Sequence, residues 1–136
     1  MVKINARYDK TLELTVFDVH GRVTAEDFMD AVETHYGSNP TSNSIWDLTL
    51  CDLSNIDMSA LIRISDTAKK FSAKRQNPRT IIVVAHEQEA YLVKLYGEIS
   101  EMRGSPIHYV LVYSLDKAYQ ELAIEDPFAN RTSAAG

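Results

Sequence analysis

The sequence predicts an α/β domain built on one open, mainly parallel sheet. Three observations carry that prediction. Short runs rich in β-branched residues alternate singly with stretches whose apolar residues recur every three to four positions. Such alternation implies parallel strands joined by right-handed helical crossovers. The 136 residues, 45% hydrophobic and 24% charged, suit a single core of ordinary globular balance.

Residues 2–9 and 11–19 alternate apolar with polar side chains around Tyr8-Asp9-Lys10, the pattern of an opening hairpin. His20-Gly21-Arg22-Val23 is expected to turn the chain. Thr24 with Asp27 three residues on then makes a capping-box start for a helix carrying Phe28, Met29, Val32 and Tyr36. Gly37-Ser38-Asn39-Pro40 ends it. Residues 45–53 are apolar on both alternating faces, as expected of a central strand covered from both sides. A second helix starts from Ser54 or Asp57, with Leu61, Ile64, Ala68 and Phe71 at helical spacing. Residues 80–85 form a short β-branched strand. In the third helix Leu92, Leu95, Tyr96, Ile99 and Met102 make an apolar stripe that stops at Gly104. Residues 107–113 are the last strand, and Ser114 caps a final helix through Tyr119 and Leu122. The order is ββαβαβαβα, five strands and four helices, in one domain over residues 1–124 with a flexible tail at 125–136.

A formal charge of −5 and a pI near 5.3 repel a phosphate backbone, so nucleic acid is not an expected partner. Cys51 is the single cysteine and can build neither an internal disulfide nor a thiolate metal site. The sequence shows neither a signal peptide nor a run of about 18 apolar residues, which predicts a cytoplasmic protein without a transmembrane segment. Its five glycines stand apart and make no phosphate loop, and no cofactor is expected.

Ligands of an open parallel sheet gather at the carboxyl ends of its strands, which here nominates Asp52, Ser54, Asp57, His86 and Ser114 as an interaction surface. Ser54, His86 and Asp52 contain the residue types of a hydrolytic triad but lack a Gly-x-Ser-x-Gly turn to expose the nucleophile. Capping explains them instead, with Ser54 as N-cap of the second helix and Asp57 at its third position. His86 lacks a second histidine four residues on, where Ala90 stands, so neither catalysis nor metal binding is predicted. The cations Lys69, Lys70, Lys74, Arg75 and Arg79 read as surface charge complementing a helix end. Tyr91, Tyr96, Met102 and Phe71 read as core. Asp47, on so apolar a strand, must be paired or at an edge.

The element order, with Val19-His20-Gly21-Arg22-Val23-Thr24 entering the first helix and Ile45-Trp46-Asp47-Leu48 in the central strand, resembles the SpoIIAA-like fold. That fold includes the STAS domains, among them the anti-sigma-factor antagonists. The segment Asp57-Met58-Ser59-Ala60-Leu61 is similar to the antagonists' Asp-Ser-Ser-Gly, with Met58 and Ala60 replacing the first serine and the glycine. The chain thus stands nearer the uncharacterised SpoIIAA-like branch. The resemblance implies a non-enzymatic regulatory or protein-interaction module, with Ser59 as phosphoacceptor for an anti-sigma-factor-type kinase. The fold is also related in form to lipid-exchange domains, which implies as the alternative a small apolar ligand or lipid between the second and third helices. Self-association through an edge strand or an apolar helix face is a further expected mode of partnering.

Overall fold

The structure, a computed structural model, describes residues 2–128. Its elements are β1 (Lys3–Asp9), β2 (Leu14–Arg22), α1 (Ala25–Ser38), β3 (Asn43–Asp52), α2 (Met58–Ser72), β4 (Arg79–Val83), α3 (Glu87–Met102), β5 (His108–Val112) and α4 (Leu115–Glu121). The sheet order is β1-β2-β3-β4-β5, with β1 antiparallel to β2 and every other pair parallel. The predicted order and the mainly parallel sheet are both present.

A sequential strand order has a geometric consequence. When each right-handed crossover advances the sheet in the same direction, every crossover helix lands on the same face. Accordingly α1, α2 and α3 share one core with Phe17, Val19, Trp46, Leu48, Ile82 and Val84 of the sheet. Trp46 stacks on Phe17 at a ring separation of 3.9 Å, and its indole N–H donates to the Tyr36 hydroxyl at 3.2 Å. The reverse face carries a smaller core of Leu14, Val16, Ile45, Ile81, Val83 and Val112 under Ala118 and Tyr119 of α4. β3 is thus covered from both sides in its first half, as expected, but emerges after Leu48, and Leu50 is 69% exposed.

Local chemistry moves several boundaries. Glu13 adopts a positive φ of 49° and its amide bonds Lys10 O at 3.2 Å, so the connection occupies residues 10–13 and β2 starts at Leu14. The expected turn at His20 is instead strand: β2 continues to Arg22 past a register shift between Asp18 and His20. Gly21, at φ 93°, holds a conformation that a side chain would disfavour. The second helix is capped by Asp57, whose carboxylate accepts from Ala60 N at 2.8 Å, and not by Ser54. A turn closed by Ile56 N to Leu53 O keeps Ser54 outside the helix.

On α3 the buried face is Ala90, Val93, Tyr96 and Ser100, with Leu92, Leu95 and Ile99 half-buried beside it. Tyr91 and Met102, expected in the core, are 71% and 86% exposed because the packed stripe runs between them. Arg75, expected on the surface, is buried. It donates to Thr41 O, Ser42 O and Arg79 O and to the Thr80 hydroxyl, and lies 4.6 Å from the Tyr36 ring centre. Asp47 is bonded as predicted, accepting from the amide and hydroxyl of Thr49 at 3.1 and 2.7 Å. Of the expected tail, Phe128 lies buried in the second core; residues 129–136 are outside the described residues. No helix among the described residues is long and apolar enough to cross a membrane.

Candidate functional site

All four helices follow a strand, so their N-termini gather at the carboxyl ends of β2 to β5. The nominated residues stand on this pole in separate roles. Asp52 closes β3 and accepts from Ser54 N at 2.9 Å and from Arg22 Nε at 3.1 Å. Hydrogen bonding from Ser54, and then from Arg22, holds the Asp52 carboxyl below the usual range. Asp57 caps α2. Ser59 stands exposed in the first turn of that helix, beside Met58, which is 51% exposed. Ser114 caps α4, accepting from Lys117 N at 3.1 Å. His86 precedes α3 without a side-chain cap.

No hydrogen bond joins His86 to Asp52 or Ser54 among the described residues, so the structure does not assemble the triad residue types. Nor do three His, Cys, Asp or Glu side chains among the described residues form a group able to hold a metal ion. Burial, with Glu89, Asp47 and Asp52 nearby, pushes the Cys51 thiol up to about 12, so it has little thiolate to react with.

The pole has a composition that pattern reading missed. Leu50, Met58, Tyr91 and Tyr113 leave large apolar surfaces in water there. One signal was available: Tyr91 precedes the first residue of the predicted stripe, and the true buried face begins at Ala90. Acidic residues share the pole with them. Glu26 and Asp27 lie in the first turn of α1, Glu87 and Glu89 in that of α3, and Asp116 in that of α4. Each suits the positive end of its helix dipole.

A second feature lies between the sheet and α1 to α3. It is an apolar cavity of about 80 Å³ walled by Phe28, Trp46, Leu61, Ile64, Leu92 and Val93. Arg75, Thr80, Tyr96 and Tyr109 border it with their polar groups already engaged, the two tyrosine hydroxyls with each other at 2.9 Å. Burial pushes the Tyr96 hydroxyl up to about 12 and holds the Tyr109 hydroxyl well above its ordinary value.

Two of the solved structures that match this chain show its architecture. One is an uncharacterised DUF3478-family protein from Shewanella loihica PV-4 with a SpoIIAA-like fold, 14% identical, covering 89% of this chain and 93% of that one at a TM-score of 0.58. The fold is SpoIIAA-like. The other is the anti-sigma factor antagonist SpoIIAA in its unphosphorylated form, 10% identical, covering 89% of this chain and 97% of that one at a TM-score of 0.52. No protein-family model and no curated protein matches the sequence.

Proposed function

We propose that this chain is a non-enzymatic regulatory or protein-interaction module of the cytoplasm. It works through the strand-end surface from Asp52 to Ser59, with Ser59 as the phosphoacceptor for an anti-sigma-factor-type kinase. The observation that carries the reading is an exposed serine in the first turn of α2, next to an exposed methionine, on the fold of an anti-sigma factor antagonist. A phosphate there meets unpaired backbone amides and the positive end of the helix, while adding about −1.5 to −2 charges to the docking surface. Arg63, one turn along α2, is the nearest cation in sequence and is already held by Glu26 at 2.5 Å. Incubation with such a kinase and ATP, followed by intact-mass measurement, should add one phosphate to the native chain and none to Ser59→Ala. A native chain that stays unmodified, with Ser59→Asp leaving partner binding unchanged, sinks the switch.

The cavity favours a second reading, a binding domain for a compact apolar ligand. Its volume of about 80 Å³ is far below the roughly 300–1,000 Å³ of ordinary ligand sites, so a lipid-sized guest requires α2 and α3 to part. Native mass spectrometry of the protein from its own host tests this. A co-purified apolar ligand supports it, and consistently empty protein counts against it.

A further inference from the structure

We infer that the partner of the strand-end pole is a basic protein segment carrying a bulky apolar side chain. The inference rests on the module reading above and names the chemistry of its partner. Met58, Tyr91 and Tyr113 are 51%, 71% and 49% exposed, large side chains of the kinds that anchor interfaces. They belong to one region. Met58 opens α2 after β3, Tyr91 lies one helical turn into α3 after β4, and Tyr113 directly follows β5, and these three strands are neighbours in the sheet, so the topology gathers all three side chains at its carboxyl end.

The charge around this apolar surface selects its occupant. The arginines of the pole are already consumed, Arg22 by Asp52 at 3.1 Å and Arg63 by Glu26 at 2.5 Å. Asp57, Glu87, Glu89 and Asp116 make no ion pair among the described residues; Lys117 in the first turn of α4 and Lys3 opposite His20 make none either, so the rim is negative on balance, four free carboxylates against two free lysines. A nucleic acid or an anionic lipid surface meets repulsion at this rim. Lysine or arginine flanking an apolar residue finds complementary charge at the rim and a desolvated anchor at the centre.

The full chain can be titrated with a fluorescent amphipathic peptide of lysine and leucine, and with the same peptide carrying glutamate for lysine. The lysine peptide should bind, more weakly as salt is added, and the glutamate peptide should not. The double variant Glu87→Gln/Glu89→Gln and the variant Tyr91→Ala should each weaken binding about tenfold, against less than about twofold for Glu98→Gln/Glu101→Gln, an equal charge change on the far half of α3. Circular dichroism of each variant confirms that the fold persists. Equal losses in the two glutamine pairs, or binding of the glutamate peptide, overturn the inference. So does a dimer of the native chain that Tyr91→Ala dissolves, since a second copy then covers the surface. The two readings fail apart. Phosphate transfer to Ser59 with equal losses in both glutamine pairs overturns only the basic partner. An unmodified Ser59 with peptide binding through Glu87 and Glu89 overturns only the switch.

Discussion

Arg75 is a buried cation with no carboxylate at salt-bridge distance among the described residues, and its charge is met by three backbone carbonyls, a threonine hydroxyl and the face of Tyr36. Its planar fork reaches the loop before β3 and the start of β4 together, which an ammonium cannot do. Arg75→Met removes the donor to Thr41 O and leaves Ser42 O with the Arg79 amide alone, and should cost about 3 kcal/mol in urea unfolding; a loss under about 1 kcal/mol, the size of an ordinary surface change, refutes this role. Nothing in Lys74-Arg75-Gln76-Asn77-Pro78 announces burial, which is why sequence placed Arg75 on the surface. His35 is the matching case for pH. Burial lowers its pKa, its Nδ1 is bonded to the Tyr8 hydroxyl, and the Phe17 ring stands edge-on at 5.3 Å. The unfolded chain takes up the proton near the ordinary value of 6.5 while the folded chain resists it. This stability is therefore complete above about pH 6.5 and lost as pH falls below it. Urea midpoints between pH 7.5 and 5.5 should fall for the native chain and fall less for His35→Gln; parallel slopes exclude the histidine as the cause.

At the scale of elements, α2 is the hub of the helical layer. It is tied to α1 through Arg63 and Glu26 at 2.5 Å, and to α3 by both Arg103–Asp66 bonds at 2.7 and 2.8 Å. Beneath these surface pairs Ser65 and Ser100 share a buried hydrogen bond of 2.9 Å between α2 and α3. Removing one hydroxyl strands the other, so Ser65→Ala and Ser100→Ala should each cost about 1–2 kcal/mol while the double variant costs clearly less than their sum. Strict additivity in a double-mutant cycle rules out the coupling. Much at this scale was legible. The capping box at Thr24 and Asp27 is present, with Thr24 N donating to Asp27 Oδ2 at 2.8 Å, and Ser114 caps α4 as its position indicated. The start of α2 was not. Ser54 and Asp57 are equally good caps in isolation, and the choice is made by the Leu53–Ile56 turn. The apolar surface at Met58, Tyr91 and Tyr113 was hidden for a related reason: bulky residues are assigned to a core until the packing direction of their helix is known.

Across the whole molecule the helices point one way, which divides the charge. Acidic first turns crown the strand-end pole, whereas α2 and the chain just after it send lysines to the other pole, Lys69 Nζ to Arg103 O at 2.8 Å and Lys74 Nζ to Gly37 O at 3.4 Å. These lysines satisfy carbonyls where α1 and α3 end, a use of positive charge that requires no anionic partner. The same one-sided helical layer leaves the reverse face of the sheet to be closed by a single short helix and the chain beyond it. α4 reaches β4 and β5, and Phe128 completes the small core that includes Leu14 and Val16 of β2, with the Arg7 guanidinium 4.7 Å from its ring centre. Arg7 is also paired with Asp18 at 3.3 Å, so it lies between the aromatic ring and the polar part of the sheet. Phe128→Ala uncovers that core and should cost about 3 kcal/mol, a loss Phe128→Leu should largely restore because it refills apolar volume. Arg7→Met should cost less than about 1 kcal/mol, since only a half-exposed ion pair and a cation–π contact are lost. Urea unfolding of the three variants decides it. If Phe128→Ala matches the native midpoint, the segment beyond α4 is dispensable and the second core is held by α4 alone.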